Sequence, residues 1–246
     1  DLRLHRLTGL EQDKIIDEFK TILDLVQELL AACQNGTALQ PGSLMITFDD
    51  AYLDFADCAW PIMKRYQLPA TLFVPTAFPD NPNRIFWWDR LQYALEHTPR
   101  RDKLETPAGQ FSLGTAKQRY QAYRSIRDHV KKLPSSELLS WTHQICSVLE
   151  APPAPHRVLG WDALRRLAEE GVTLGAHTRY HRFMNQLSRE EIEEEVAGSL
   201  EDVQREIGTV PPIFAYPDGR FKDEVVEVLE EAGVEIAGEG VRAHTD

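Results

Sequence analysis

Three short apolar runs in this sequence each stop at a group of polar residues, and this repetition constrains the fold more than any other feature. The runs are residues 44–48, which precede Asp49-Asp50; residues 172–176, which precede His177; and residues 213–215, which precede Tyr216-Pro217-Asp218-Gly219. A short apolar run bounded by turn residues is typical of a buried strand. In α/β folds, reactive groups collect at the carboxyl ends of parallel strands. We therefore predict an α/β fold with carboxylates and imidazoles at its site.

Amphipathic segments alternate with the apolar runs, as expected for a parallel sheet covered by helices. The predicted strands are 43–48, 70–74, 172–176, 212–216 and 234–237, and the predicted helices are 15–30, 58–67, 164–168, 189–207 and 222–232. Pro61 fits only the first turn of its helix. Ser188 and Glu191 form a capping-box pattern at the start of helix 189–207. The acidic run 190–195 is interpreted as the solvated face of this helix. An α/β barrel of 246 residues is commonly one domain, so we predict a single domain over 1–246.

Residues 79–157 interrupt this alternation. Prolines cluster at both ends of the segment, and between them two sets of apolar residues recur at helical spacing. We predict a mostly helical insertion at 79–157 that contains no strands.

The composition excludes several classes of protein. A net charge of −12 argues against nonspecific nucleic-acid binding. The chain has no apolar run long enough to span a membrane and no recognisable signal peptide, so we favour a cytoplasmic location. Cys33, Cys58 and Cys146 are dispersed, which argues against a disulfide framework or a zinc-thiolate site.

Two pairs of residues carry the chemistry. His177 and His181 are four residues apart, a spacing that on a helical turn brings both imidazoles within reach of one cation. Asp49 and Asp50 are adjacent, so one carboxylate could bind the metal while the other faces a water. Two histidines and one carboxylate suit zinc in hydrolysis, or iron or cobalt in other chemistry. Polar loop histidines and an Asp helix N-cap are the simpler alternatives.

These segments together resemble the polysaccharide deacetylase family of metal-dependent carbohydrate esterases. The residues that carry the resemblance are 46–52, 177–181 and 214–219, with further similarity at 69–74 and 232–234. The similarity spans about residues 43 to 237. It implies a distorted or incomplete (β/α) barrel and hydrolysis of an N-acetyl or O-acetyl group on a glycan.

The resemblance also implies a role for each matching residue. Asp49 would be the general base, and the metal ligands would be Asp50, His177 and His181. The metal would be Zn²⁺, with Co²⁺, Ni²⁺ and Fe²⁺ as alternatives. Tyr216, Pro217 and Asp218 would line the acetyl pocket, and a backbone N–H near Tyr216 would bind the oxyanion. His244 is the candidate catalytic acid, with His5 as a second choice.

Four further positions bear on the site. Trp88 lies in an aromatic cluster at 86–89 and is a candidate for stacking on a sugar, although a place in the core is the favoured alternative. Ala51, Arg182 and Ala215 depart from the family pattern, which commonly has glycine, proline and arginine there.

We therefore expect a metal-dependent hydrolase that removes acetyl groups, preferably N-acetyl, from a polysaccharide or oligosaccharide in bacterial surface or exopolysaccharide metabolism. Its expected partner is the acetylated glycan. Two alternatives stay open. One is hydrolysis of a non-sugar amide such as a cyclic imide, and the other is a degenerate member that binds glycan without turnover.

Overall fold

The computed structural model describes Asn35 and residues 45–238. The predicted helix 15–30, Cys33 and both candidate acid histidines, His5 and His244, lie outside the described residues. The chain forms two compact units. Among the described residues, the first comprises those up to Thr76 and those from Val158 to residue 238, and the second comprises Ala77–Arg157.

The strands and α-helices of both units are numbered together in chain order. In chain order, the described strands are β1 (Thr47–Phe48), β2 (Thr71–Val74), β3 (Lys103–Thr106), β4 (Gly109–Ser112), β5 (Thr173–Ala176), β6 (Ile213–Ala215) and β7 (Ile236–Gly238). The α-helices are α1 (Trp60–Arg65), α2 (Trp87–His97), α3 (Ala116–Val130), α4 (Ser135–Val148), α5 (Trp161–Glu169), α6 (Arg189–Ile207) and α7 (Asp223–Glu231). A π-helical turn (Phe55–Ala59) and two short 3₁₀ helices (Met184–Gln186 and Pro217–Gly219) complete the described elements.

The first unit is built on a five-stranded parallel sheet with the strand order β1-β2-β5-β6-β7. Val74 pairs with Ala176, and Ala176 pairs with Phe214, so the ends of β2, β5 and β6 lie side by side. Every residue of β2 is buried, as expected for a central parallel strand. The sheet confirms the α/β prediction. It places the residues after β1, β5 and β6 at the carboxyl-terminal end of the parallel strands.

One hydrophobic core of this unit lies where α6 and α7 pack against the sheet. The apolar face predicted for α6 is confirmed, since Ile192, Val196 and Val203 are fully buried beside Phe214 and Met184. Burial of each such side chain contributes about 1.5–3 kcal/mol. This packing fixes α6 next to the segment that follows β5.

The predicted helix ends are also observed. Ser188 Oγ accepts a hydrogen bond from the N–H of Glu191, and the Glu191 carboxylate accepts one from the N–H of Ser188. Pro61 lies in the first turn of α1, where a missing N–H costs nothing. Gly171, which follows α5, has a φ of 102° that favours glycine.

The prediction that 79–157 contains no strands is wrong. Helices α2, α3 and α4 dominate the second unit, but β3 and β4 form an antiparallel hairpin, in which Leu104 pairs with Phe111. Leu104 is the buried residue of β3, and its neighbours are polar. One apolar residue per four-residue strand is too little periodicity to reveal the hairpin in the sequence.

No helix in the described part of the chain combines the length and the apolar composition needed to cross a membrane. The two cysteines within that part, Cys58 and Cys146, are both free thiols.

Candidate metal centre

Three side chains that follow two of the strands converge at the carboxyl-terminal end of the sheet. Asp50 follows β1, while His177 and His181 follow β5. One ligand-type atom from each of the three residues lies within 4.8 Å of the others. The Asp50 Oδ1 atom is 3.2 Å from Nε2 of His181 and 3.7 Å from Nε2 of His177. The structure therefore brings together the three residues that the sequence suggested as metal ligands.

The donor set fits a divalent metal in its chemistry as well as its spacing. Nδ1 of His177 lies 2.9 Å from the carbonyl oxygen of Ala215. When Nδ1 carries the proton and donates it to this carbonyl, the Nε2 lone pair faces Asp50, an arrangement common for metal-binding histidines. Burial lowers the pKa of His177, with the nearby His181 acting in the same direction. A neutral imidazole is the form that binds metals.

Asp49 stands beside this cluster but is not part of the three-residue group. Desolvation raises the pKa of its carboxyl group; His177 and His181 oppose the shift, and Asp50 reinforces it. Asp50 adopts a φ of 70°, so the chain turns sharply between the two carboxylates. This turn allows adjacent aspartates to have different surroundings.

The loop that joins the two histidines is anchored to α6. Glu195 Oε2 accepts hydrogen bonds from the backbone N–H groups of Arg179 and Tyr180, both at 2.8 Å. Asp202, two turns further along α6, binds the Arg179 side chain, with 2.9 Å between Nε and Oδ2, and also accepts from the Thr76 hydroxyl at 2.8 Å.

The burial of Glu195 contradicts one interpretation of the sequence. The acidic run 190–195 is expected to form a solvated face, but Glu195 is only 2% exposed. Burial raises the pKa of its carboxyl group, and the N–H groups of Tyr180 and Arg179 oppose the shift. The residue stands three positions after the core residue Ile192 and directly before Val196, so its place on the buried face could have been inferred from helical spacing.

The predicted acetyl-pocket loop is a 3₁₀ turn after β6. Tyr216 and Pro217 are buried, and Asp218 has a φ of 57°. The Asp218 carboxylate pairs with Arg220 at 3.0 Å. The N–H of Tyr216 donates to the carbonyl of Gly238 at 3.2 Å, which extends the β6–β7 ladder. In this conformation, the Tyr216 N–H is therefore engaged within the sheet.

The three departures from the family pattern have structural accounts. Ala51 is fully buried with a φ of 51°, a conformation that explains why glycine suits this position. Arg182 pairs with Glu191 at 2.6 Å, at the start of α6. Ala215 packs with Phe73 and Ile213, so the position commonly held by arginine is part of the core here.

Trp88 belongs to the second unit. It is half-buried and stacks on Phe86, with ring centroids 4.5 Å apart. Its contact with a sugar stays a prediction.

The chain matches a known protein family. The family model of the polysaccharide deacetylases matches residues 36–237, which is most of the chain. The chain belongs to the polysaccharide deacetylase family.

Solved structures of other deacetylases share this fold. The BpsB deacetylase domain from Bordetella bronchiseptica matches with a TM-score of 0.56 and 16% identity, over 96% of this chain and 78% of that one. The Streptococcus pyogenes deacetylase PplD, solved with acetate, matches with a TM-score of 0.53 and 16% identity, over 94% and 77%. A de-N-acetylase from Aggregatibacter actinomycetemcomitans matches with a TM-score of 0.51 and 16% identity, over 89% and 72%. These matches confirm the (β/α) barrel type of the polysaccharide deacetylase family.

One curated protein shares a short stretch with the chain. A DNA gyrase protein of Aeromonas salmonicida is 63% identical over 30 residues. The match covers 12% of this chain and only 3% of the gyrase protein, which is too little of either to indicate a common family.

Proposed function

We propose that this polysaccharide deacetylase family member is a metal-dependent hydrolase that removes N-acetyl groups from a glycan. The observation that carries the proposal is the approach of Asp50 Oδ1 to Nε2 of both His181 and His177, at 3.2 and 3.7 Å. A carboxylate and two imidazoles at this spacing would supply three ligands to a divalent metal, whose remaining positions would be available to water and substrate. Zn²⁺ is the metal we propose, with Co²⁺, Ni²⁺ and Fe²⁺ as alternatives.

The residue roles in this proposal are those that the resemblance to the family implies. Asp50 would hold the metal through Oδ1, and His177 and His181 would hold it through Nε2. When bound, a divalent metal polarises the acetyl carbonyl and lowers the pKa of water. Asp49 would accept the proton of the attacking water, since its carboxylate stands beside the ligands without being one of them. The proton that the leaving nitrogen needs comes from a catalytic acid, for which His244 is the candidate.

The loop at 216–219 is proposed to shape the acetyl pocket. Tyr216 is 5% exposed, and its ring stacks on Phe221 with 4.4 Å between ring centroids. The buried Tyr216 and Pro217 would form an apolar wall that suits an acetyl methyl group. Asp218 would contribute to the polar rim of this pocket, where its pairing with Arg220 fixes its carboxylate.

Acetate release tests the proposal. The protein is freed of metal with a chelator, reloaded with one equivalent of Zn²⁺, and given a panel of N-acetylated and O-acetylated oligosaccharides. We expect release from an N-acetylated member, loss of release with the chelator, and recovery with zinc. Ring opening of a cyclic imide, assayed separately, without acetate release from any sugar would support the non-sugar alternative, and stoichiometric zinc binding without any turnover would support a glycan-binding role.

His181→Ala and Asp49→Asn provide matched controls. The histidine variant should lose both zinc and turnover, whereas the aspartate variant should lose turnover and keep zinc. Equal loss of zinc in both variants would contradict the assignment of base and ligand.

A further inference from the structure

The loop between the two candidate histidine ligands has an unusual backbone. Thr178 and His181 have φ angles of 59° and 55°, in the left-handed region. A β-branched residue such as threonine rarely adopts this conformation, which costs of order 1–3 kcal/mol. The surroundings must therefore hold the loop in place. Two contacts of Thr178 contribute, since its carbonyl accepts from Thr76 N–H and its hydroxyl accepts from His181 N–H.

Glu195 supplies the contacts from the other side. Both the Arg179 and Tyr180 N–H groups donate to the same oxygen, Oε2, at 2.8 Å. Arg179 and Tyr180 lie between the two left-handed residues, Thr178 and His181, so the carboxylate binds the middle of the turn. Burial of a carboxylate is costly unless it is hydrogen-bonded; the two N–H groups satisfy Oε2, and the Thr178 side chain also hydrogen-bonds the carboxylate.

The Arg179 side chain keeps the turn close to the helix. A Cβ atom on Gly198 would lie 2.8 Å from Arg179 Cδ, so this side chain lies directly against α6 at a position without a side chain of its own. Beyond Gly198, Asp202 receives the guanidinium group. Glu195 thus fixes the backbone of the turn and Asp202 fixes its side chain.

We propose that Glu195 is the positioning residue of the metal centre: by binding the Arg179 and Tyr180 N–H groups, it holds the left-handed turn that aims His177 and His181 at Asp50. This proposal rests on the proposed metal-binding function. The residue acts through the loop and touches neither metal nor substrate. Since residues that orient metal ligands typically change metal affinity about 10- to 100-fold when they are replaced, the effect is measurable as zinc affinity.

Three variants separate hydrogen bonding from charge and from packing. Glu195→Gln keeps the length of the side chain and one acceptor oxygen, which suffices because both N–H groups share one oxygen. Glu195→Asp keeps the charge but is one methylene too short to reach both groups. Glu195→Met keeps the length and volume but accepts no strong hydrogen bond.

Zinc affinity is measured for each folded variant by competition with a chromogenic chelator. We expect Glu195→Gln to remain within about threefold of the wild type, and Glu195→Met to lose about 10- to 100-fold, with Glu195→Asp between them. Hydrogen exchange in the metal-free protein gives a second readout, in which the Arg179 and Tyr180 amides should exchange roughly tenfold faster in Glu195→Met. If Glu195→Met fails to fold, the order of Glu195→Gln and Glu195→Asp decides.

Wild-type zinc affinity in both Glu195→Asp and Glu195→Met would overturn the proposal, even if their stability falls, because a residue needed only for folding would leave the folded site unchanged. The wild type and His181→Ala are titrated in parallel. Absence of histidine-dependent zinc binding in the wild type would instead refute the proposed function, so the two failures are distinct.

Discussion

Asp202 offers a quantitative test of how α6 supports the site. Its side chain is 4% exposed and accepts from Thr76, Arg179 and Arg205. Asp202→Asn keeps the shape of the side chain but turns one acceptor oxygen into a donor. Each oxygen accepts two hydrogen bonds, so the variant must leave two donors facing an NH₂ group.

The cost depends on which donors lose their acceptor. The side chains of Arg179 and Arg205 are 40% and 59% exposed, so water can replace their lost hydrogen bonds and little stability is lost there. The amide oxygen can occupy the position of Oδ2, so the buried Thr76 hydroxyl keeps its acceptor, and the remaining cost is the replacement of charge-assisted hydrogen bonds by weaker neutral ones. We therefore expect Asp202→Asn to lower the free energy of unfolding by about 0.5–1.5 kcal/mol at pH 7.

The loss should depend on pH in one direction. Burial alone would raise the pKa of Asp202, but hydrogen bonds from Arg179, Thr76 and Arg205 outweigh it and lower the pKa below the ordinary value of 3.8. A carboxyl group whose pKa is lowered on folding stabilises the protein above its unfolded pKa, and this contribution disappears as the pH falls through the folded pKa. The difference between wild type and Asp202→Asn should therefore shrink as the pH falls below about 3.8.

Urea unfolding at several pH values measures this difference. Asp162→Asn is the matched control, because Asp162 pairs with Arg165 on the surface with a side chain that is 84% exposed. We expect no measurable change from this control. Equal stability of wild type and Asp202→Asn at pH 7, or a difference that persists unchanged well below pH 3.8, would refute the reasoning.

Three other changes have defined outcomes. Asp49→Asn should lower kcat for acetate release by about 10²–10⁴-fold and leave zinc affinity within about threefold, because a general base contributes to the reaction rather than to metal binding. A similar fall in zinc affinity would make Asp49 a ligand. Ser188→Ala removes half of the capping box and should cost about 0.5–2 kcal/mol in urea unfolding, and an unchanged midpoint would mean that the cap contributes nothing. Burial raises the pKa of the Cys146 thiol to about 11, so iodoacetamide at pH 8 should label the exposed Cys58 first in peptide mapping, and preferential labelling of Cys146 would contradict its burial.

The sequence is sufficient for the parts of the molecule that follow from strand ends and helix ends. Parallel pairing of Val74 with Ala176 and of Ala176 with Phe214 aligns the carboxyl ends of three strands, so residues after those strands have to meet. The capping box at Ser188 and Glu191 is local, and its chemistry is visible in four residues.

Features that depend on tertiary packing are harder to infer. Glu195 resembles the other glutamates of an exposed acidic run, and only its position between Ile192 and Val196 indicates burial. The β3–β4 hairpin escapes prediction because one buried leucine does not form a pattern. A backbone N–H near Tyr216 is expected to bind an oxyanion. The N–H of Tyr216 itself donates to Gly238, and this bond depends on the pairing of β6 with β7, which no local motif specifies.

The most direct test of the central claim is the location of the metal itself. Crystals of the zinc-loaded protein, measured on both sides of the zinc absorption edge, would show where the ion binds. The account predicts one anomalous peak about 2.0–2.2 Å from Oδ1 of Asp50 and from Nε2 of His177 and His181. A zinc peak elsewhere, with these three side chains bound to one another instead, would contradict it.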